Sequence, residues 1–310
     1  MLLSLRSGID ADIGWALNRL CRLCDNEQFV LKTIPGLIDA LFEWPEWYAN
    51  EGYKEHAEVT SLFSPNRSRE RRKRHALESL FILRNAALNE PNARELGNHR
   101  RTKPLVQALI HNLVFDMDEN AEFLLHACEL LQAIAYTVIL PPVLLPTHPN
   151  NLLLPLHNIA DQCSNRSLII ASFDAMTALF SNPQNAIHLT ETSPALRAAI
   201  RYLPLFVDKP LLESCLNYLY VHLSQPAMAK ATLLQPEMPS TLKLLVSLLL
   251  SEQVEEVVSL DVGGTIHTAP ALTTDTSRDH ELTKEEMDDL LEKPEPQRCY
   301  DWYLPNSYLQ

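Results

Sequence analysis

Apolar residues recur along most of the chain at the spacing of one face of an α-helix. Leu77, Leu80 and Phe81 show this spacing, because they stand at positions i, i+3 and i+4 and share one side of a helix. Comparable rows run through ALNRLCRLC, EFLLHACELLQAIA, LIIASFDAMTALF, LLESCLNYLYVHLS and STLKLLVSLLLS. Alternation of apolar and polar positions with β-branched residues is scarce. The pattern therefore predicts an all-α fold.

The predicted helices are separated by turn-like breaks that resemble one another. LRNAALNEPNARELG begins at Leu83 and MTALFSNPQNAIHLT at Met176, and each joins a helix end, an Asn/Pro turn and a new helix start. The breaks lie near Asp25-Asn26, Asn89, Pro141, Asn182 and Gln225-Pro226. Their spacing approaches the roughly 40–47 residues of armadillo and HEAT repeats, whose units bury their apolar faces by stacking. We therefore predict an armadillo/HEAT-like right-handed helical solenoid of about five repeats over residues 1–260.

Two segments interrupt this pattern. Residues 43–75 are polar and rich in turn-forming residues, so we predict an insertion loop there that carries a basic cluster. Residues 261–310 form a predicted acidic tail; the net charge of the chain is −13, and −10 of it lies in residues 251–310. The stretch GGTIHTAPALTTDTSRDHE has no periodicity and is predicted to be disordered. A short acidic helix is predicted at TKEEMDDLLEK, where Thr283 and Glu286 form a capping box.

Composition narrows the class of protein. Apolar residues make up 46 % of the chain, which is enough for a sizeable core, and seven glycines against 21 prolines disfavour glycine-rich phosphate loops. Six scattered cysteines are too few for a disulfide scaffold, so a reducing compartment is expected. The N-terminus lacks the pattern of a signal peptide, and the apolar run LKLLVSLLLS is too short to cross a bilayer. We expect a soluble intracellular protein.

No catalytic constellation is visible, so we predict a protein that is not an enzyme and that has no cofactor. The chain contains no GxSxG, Walker, GxGxxG or HExxH motif. Cys21 and Cys24 form a CxxC pair, but no second ligand pair at zinc spacing lies nearby, and buried thiols are the favoured interpretation. The remaining thiols and imidazoles within helical rows are expected in the core or half-exposed, namely Cys128, Cys163, Cys215, His126 and His222.

The densest charge feature is the run NRSRERRKRH, which begins at Asn66. It places six cations around the single acid Glu70, namely Arg67, Arg69, Arg71, Arg72, Lys73 and Arg74. Such a run is typical of a nuclear-import signal or of phosphate contacts with a nucleic acid, and a solvated loop is the third interpretation. Arg100, Arg101 and Lys103 make a second basic patch, which would form a stripe with the first if both lay on one face.

Aromatic residues concentrate in WPEWY. Trp44, Trp47 and Tyr48 are candidate anchors of a protein interface, because large rings dominate such interfaces. The same rings could instead fill the gap between the first two repeats. Both interpretations stay open at this point.

Several segments resemble the armadillo region of one family. This family comprises subunit 9 of the fungal RSC chromatin-remodelling complex and its animal counterpart, the AT-rich interactive domain protein 2 of the PBAF complex. Ser4, Leu5, Arg6, Ser7 and Gly8 match the family's opening motif, and Trp15, Ala16 and Leu17 continue it. LESLFILRNAALNEPNAREL, NRSLIIASFDAMTALF and LLESCLNYLYVHLS are similar to its leucine-rich repeats, so the resemblance covers about residues 2–260.

The resemblance also has limits. Family members usually carry sequence upstream of the first repeat, including an AT-rich interaction domain in the animal branch. CYDW, from Cys299 to Trp302, resembles the lead-in to the family's RFX-type winged helix, but the residues after it do not supply that module. Sequence-specific DNA binding by the chain alone is therefore not expected.

The resemblance implies a non-enzymatic scaffold subunit of a SWI/SNF-family remodeler in the nucleus. Its partners would be other core subunits and the helical region preceding the ATPase motor. Two alternatives remain. One is an armadillo-type adaptor, although the tryptophans do not recur once per repeat as a peptide groove of that type requires. The other is a DNA-binding transcription regulator that acts through the basic cluster of residues 67–74.

Overall fold

The computed structural model of the protein describes residues 1–26, 28–54, 67–142, 151–205, 207–233 and 241–249. Of these residues 77 % are helical and none lies in a strand, which confirms the predicted all-α fold. The α-helices are α1 (Leu2–Leu5), α2 (Asp10–Leu23), α3 (Leu37–Trp47), α4 (Arg67–Ala86), α5 (Glu90–Asn98), α6 (Thr102–Asn112), α7 (Asp118–Ile134), α8 (Leu153–Gln162), α9 (Arg166–Phe180), α10 (Pro194–Tyr202), α11 (Lys209–Leu223), α12 (Pro226–Leu233) and a helix over 241–249. Shorter helical segments lie at Leu31–Thr33, Tyr48–Gly52, Ala135–Thr137 and Pro183–His188.

The apolar rows of the sequence coincide with these helices. They fall in α2, α4, α7, α9, α11 and the helix over 241–249. The long helices also end close to the predicted breaks, since α4 ends at Ala86 and α9 at Phe180. Both the helical rows and the positions of these breaks are therefore confirmed.

The helices pack in two series. The first series consists of α2, α4, α7, α9 and α11, which contact one another in chain order, and the second series consists of α3, α6, α8 and α10, which do the same. Each helix of the second series also contacts the helix of the first series that follows it. Apolar side chains of both series are buried together, for example Leu41, Leu80, Phe123, Leu156 and Phe173. Their removal from water is the main favourable contribution to this packing.

Helix α9 has neighbours in both series. It contacts α7 and α11 in the first series, α8 in the second, and the 3-10 segments Ala135–Thr137 and Pro183–His188. Its first turn is capped by Asn165, whose side-chain oxygen accepts hydrogen bonds from the backbone N–H groups of Ser167 and Leu168. Arg166 is the single exposed residue of this helix. The helix is therefore held by the core on nearly all sides.

The break at residues 87–92 is fastened by one asparagine. Asn92 is buried at the first turn of α5, and its Oδ1 accepts a hydrogen bond of 2.8 Å from the backbone N–H of Leu31. Its Nδ2 donates a hydrogen bond of 2.7 Å to the carbonyl oxygen of Phe29. One amide thus satisfies both a donor and an acceptor of the irregular segment before α3. The break at residues 87–92 is thereby joined to the earlier break that precedes α3.

Asn185 has the same role two breaks further along. It is fully buried in Pro183–His188, and its Oδ1 accepts a hydrogen bond of 2.9 Å from the backbone N–H of Leu140. Its Nδ2 donates to the carbonyl oxygens of Val138 and Leu179, both at 2.9 Å. The two similar sequence stretches around Asn92 and Asn185 therefore form equivalent ties. We call these two residues the asparagine ties.

The predicted insertion loop over residues 43–75 is wrong at both ends. Helix α3 continues through Trp47 despite Pro45 in its last turn, and a π-helical turn follows at Tyr48–Gly52. The basic cluster lies in the first turns of α4, which begins at Arg67. Arginine, lysine and glutamate are good helix formers, so a charged run can be helical where its other face packs on the core. The centre of the predicted loop, 55–66, lies outside the described residues.

The acidic C-terminal predictions also lie outside the described residues. The predicted disordered tail, the acidic helix at TKEEMDDLLEK and the winged-helix lead-in CYDW stay predictions.

Two histidines, His157 and His222, lie where α8, α10 and α11 meet. Nε2 of His157 lies 3.4 Å from the hydroxyl of Ser193, which in turn lies 3.5 Å from the hydroxyl of Tyr218. His222 is fully buried, and its ring centroid lies 4.6 Å from that of Tyr218. Burial lowers the pKa of both His157 and His222 to about 4. Both imidazoles are therefore neutral at pH 7.

The asparagine ties predict a large loss of stability on truncation. Replacing Asn185 or Asn92 by alanine leaves buried backbone groups without partners, and we expect each variant to lose about 2–4 kcal/mol of unfolding free energy. Urea denaturation measures this loss. Asn98→Ala is the matched control, because Asn98 lies exposed on α5 and bonds only to its own helix, to the carbonyl of Arg94. A loss of under about 0.5 kcal/mol is expected for the control. Equal losses in tie and control variants would contradict the proposed role.

His157 and His222 together predict a particular pH dependence. Their folded-state pKa lies below the unfolded value of about 6.5, so the unfolded state binds more protons between pH 6.5 and 4. The unfolding free energy should therefore fall with decreasing pH in this window, by about 1.4 kcal/mol per pH unit for each histidine. His222→Phe should show a shallower fall. His111→Phe, which replaces an exposed imidazole on α6, should match the unmodified chain. A slope that His222→Phe leaves unchanged would refute this account.

Candidate functional site

Two cations of the basic cluster, Arg69 and Arg72, are held within the protein. Arg69 is buried, with 6 % of its surface exposed, and its Nη2 donates a hydrogen bond of 3.2 Å to the carbonyl oxygen of Gly52. The guanidinium of Arg72 lies over the ring of Trp47, 4.4 Å from the ring centroid. These two cations join α4 to the end of α3 and the π-helical turn after it. Neither is presented to a partner as a plain surface charge.

Two further cations join α4 to its neighbours in the first series. Nη1 of Arg71 lies 2.8 Å from Oδ2 of Asp10 at the start of α2, and Nζ of Lys73 lies 3.1 Å from Oε2 of Glu119 at the start of α7. The hydrogen bond from Arg71 lowers the pKa of the Asp10 carboxyl. The first turns of α2, α4 and α7 therefore lie side by side. The cations partly neutralise acidic groups of adjacent helices.

The last two members of the cluster are exposed. Arg67 begins α4 with its side chain in solvent, and Arg74 is also exposed, with its Nε 3.8 Å from Oε1 of Glu78 one turn further along. Phosphate contact and nuclear import through this cluster stay predictions. In the described part of the chain, five of the six cations have contacts within the protein, which reduces the charge available to a polyanion.

Two members of the second basic patch, Arg101 and Lys103, are likewise engaged in internal contacts. The guanidinium of Arg101 makes a two-point contact with the carboxylate of Glu46, at 2.8 and 2.5 Å, and its Nη1 donates to the carbonyl oxygen of Asp39 at 2.9 Å. Lys103 donates a hydrogen bond of 2.6 Å to the carbonyl oxygen of Thr137. The patch thus fastens α6 to α3 and to the segment after α7. No spacing rule in the sequence identifies these partners, because each is distant along the chain.

Tyr48 is part of the core and is not an interface anchor. Only 1 % of its surface is exposed, and its ring stacks on that of Phe123 in α7 with 3.9 Å between centroids. Its hydroxyl donates a hydrogen bond of 3.0 Å to Oδ1 of Asn120. Burial raises the pKa of Tyr48 to about 12. The burial of Tyr48 contradicts its interpretation as an interface anchor, and the interpretation that its ring fills the gap between the first two repeats stays a prediction.

Trp44 and Trp47 are half-buried and also pack within the protein. The ring of Trp44 meets that of His75 edge-on at 5.3 Å. The ring of Trp47 covers Gly52 so closely that a Cβ added there would lie 2.8 Å from it. Any side chain at position 52 would therefore force the Trp47 ring to shift. Parts of both indoles remain accessible, so their role as interface candidates stays a prediction.

The CxxC pair consists of unreactive thiols. Cys24 is buried and its Sγ donates to the carbonyl oxygen of Cys21 at 3.1 Å. Burial raises the pKa of Cys21 to about 12 and that of Cys24 to about 11, so neither is a thiolate at pH 7. Within the described ranges, no group of three or more His, Cys, Asp or Glu side chains is arranged to hold a metal ion. The expected core positions of the other thiols are confirmed, since Cys128, Cys163 and Cys215 are buried.

A charged network between α4 and α7 escaped the sequence analysis. Arg84 lies 2.7 Å from the carboxylate of Glu129, and the same carboxylate is 3.4 Å from Nδ1 of His126. His126 is buried and meets the ring of Phe81 edge-on at 5.6 Å. Although burial opposes ionisation, its hydrogen bonds with His126 and Arg84 lower the pKa of Glu129. The pairing joins residues 45 positions apart, which no local pattern reveals.

One cavity of about 490 Å³ opens between the segment before α3 and helix α5. Charged side chains line it, among them Lys32, Glu90 and Arg94, and the last two pair with each other at 2.5 Å. Neither a histidine nor a cysteine nor a serine lines it. The cavity lining therefore contains no Ser–His or Cys–His pair of the kind used in nucleophilic acyl transfer. None of the described helices combines the length and apolar character of a membrane span.

Comparison with known proteins adds no family. No protein-family model matches the chain, and no curated protein matches it significantly. The geometry of the described residues is therefore the basis for assigning a function. That geometry consists of two packed helix series, two asparagine ties and a basic cluster that is largely occupied by internal contacts.

The contrast between Arg69 and Arg67 gives a matched test within the basic cluster. Arg69→Ala removes a buried side chain and leaves the Gly52 carbonyl without this donor, so we expect a loss of about 1–3 kcal/mol in unfolding free energy. Arg67→Ala removes the same charge from an exposed position and should change stability by less than about 0.5 kcal/mol. Chemical denaturation measures the unfolding free energy of both variants. Equal values would show that the buried contact does not matter for stability.

The hydroxyl of Tyr48 can be tested separately from its ring. Tyr48→Phe keeps the stacking on Phe123 but leaves the buried amide of Asn120 without this hydrogen bond, which should cost about 1 kcal/mol. Tyr220→Phe changes a largely exposed tyrosine on α11 and serves as the control. Thermal unfolding monitored by circular dichroism should show a lower Tm for Tyr48→Phe alone. An unchanged Tm would mean that the hydroxyl contributes nothing.

Proposed function

We propose that the protein is a non-enzymatic scaffold built as an armadillo/HEAT-like right-handed solenoid of about five repeats. The order of helix contacts supports this architecture. Along the chain, a short segment is followed by a helix of the second series and then by a helix of the first series. This group of three elements recurs. In such an architecture each unit buries its apolar face against its neighbours. The observation that carries the proposal is the pair of asparagine ties, which join short segments of different groups by the same hydrogen bonds.

The scaffold would act inside a SWI/SNF-family, RSC-type chromatin-remodelling complex in the nucleus. The resemblance of residues 2–260 to the subunit 9 family motivates this part of the proposal. A row of packed helices offers long surfaces that hold helices or extended segments of several partners. The expected partners are other core subunits and the helical region preceding the ATPase motor. In that complex the ATPase would perform the chemistry, and this chain would fix the relative positions of its partners.

DNA binding through the basic cluster is the weaker alternative. Affinity for a polyanion depends on the number of phosphates that free cations neutralise. Arg71 and Lys73 are already paired with Asp10 and Glu119, and Arg69 is buried. The cluster is therefore better suited to joining helices than to covering a phosphate backbone. The alternative is tested together with the scaffold proposal.

The proposal predicts the outcome of a native affinity purification of the full chain from nuclear extract. Mass spectrometry should identify core subunits of one remodeler and its ATPase, and the purified chain alone should hydrolyse no ATP. Failure to recover any remodeler subunit would contradict the assignment to such a complex. The chain alone should also elute from immobilised duplex DNA at low salt. Strong retention that Arg67→Glu with Arg74→Glu abolishes would favour the DNA-binding alternative.

A further inference from the structure

We draw no further inference here: the strongest candidate, the exposed apolar stripe of Leu242, Val246 and Leu249 on the helix over 241–249, carries nothing because nothing in the described part of the chain shows what covers it.

Discussion

The packing depends on how buried backbone groups are satisfied where the helices are interrupted. A helix pairs its own N–H and C=O groups, but an irregular segment between helices cannot, and leaving such groups buried without partners is costly. Asn92 and Asn185 solve this problem, because one amide both donates and accepts. Each asparagine bonds to backbone groups of the preceding irregular segment. These bonds fix the distance between that segment and the break in which the asparagine lies. The two helix series can then pack in register on both sides of each break.

Charges have a comparable structural role in the first half of the chain. Arg71 and Lys73 connect the first turns of neighbouring helices, and Arg101 fastens α6 to α3 through a carboxylate and a carbonyl. Exposed ion pairs contribute little individually, whereas the buried contact of Arg69 and the stacking of Arg72 on Trp47 combine charge with packing. The composition of the basic cluster at residues 67–74, considered alone, suggests a surface for polyanions. The geometry instead uses most of these cations to hold helices together.

Sequence reasoning predicted the elements more reliably than their connections. Helical periodicity and the Asn/Pro breaks located α9 and the turn around Asn182, because both depend on local side-chain spacing and turn chemistry. The predicted insertion loop is wrong at its C-terminal end because the polar, cationic run there is helical and pairs with acids of neighbouring helices. Its counter-charges Asp10 and Glu119 lie 61 and 46 positions away. The burial of Tyr48 also depends on α7, which the local pattern around WPEWY does not contain. Contacts of this range become visible only in the folded chain.

The central place of α9 has a consequence for motion on slow timescales. Its backbone amides lie inside a helix that has neighbours in both series and a single exposed residue. Opening it requires separation from α7, α8 and α11 together, so its protons should be among the last to exchange with deuterium. Helix α1, with four residues, can fray without disturbing these contacts. The middle of the chain is thus expected to be its most rigid part. A partner that binds there would contact a surface whose shape changes little on binding.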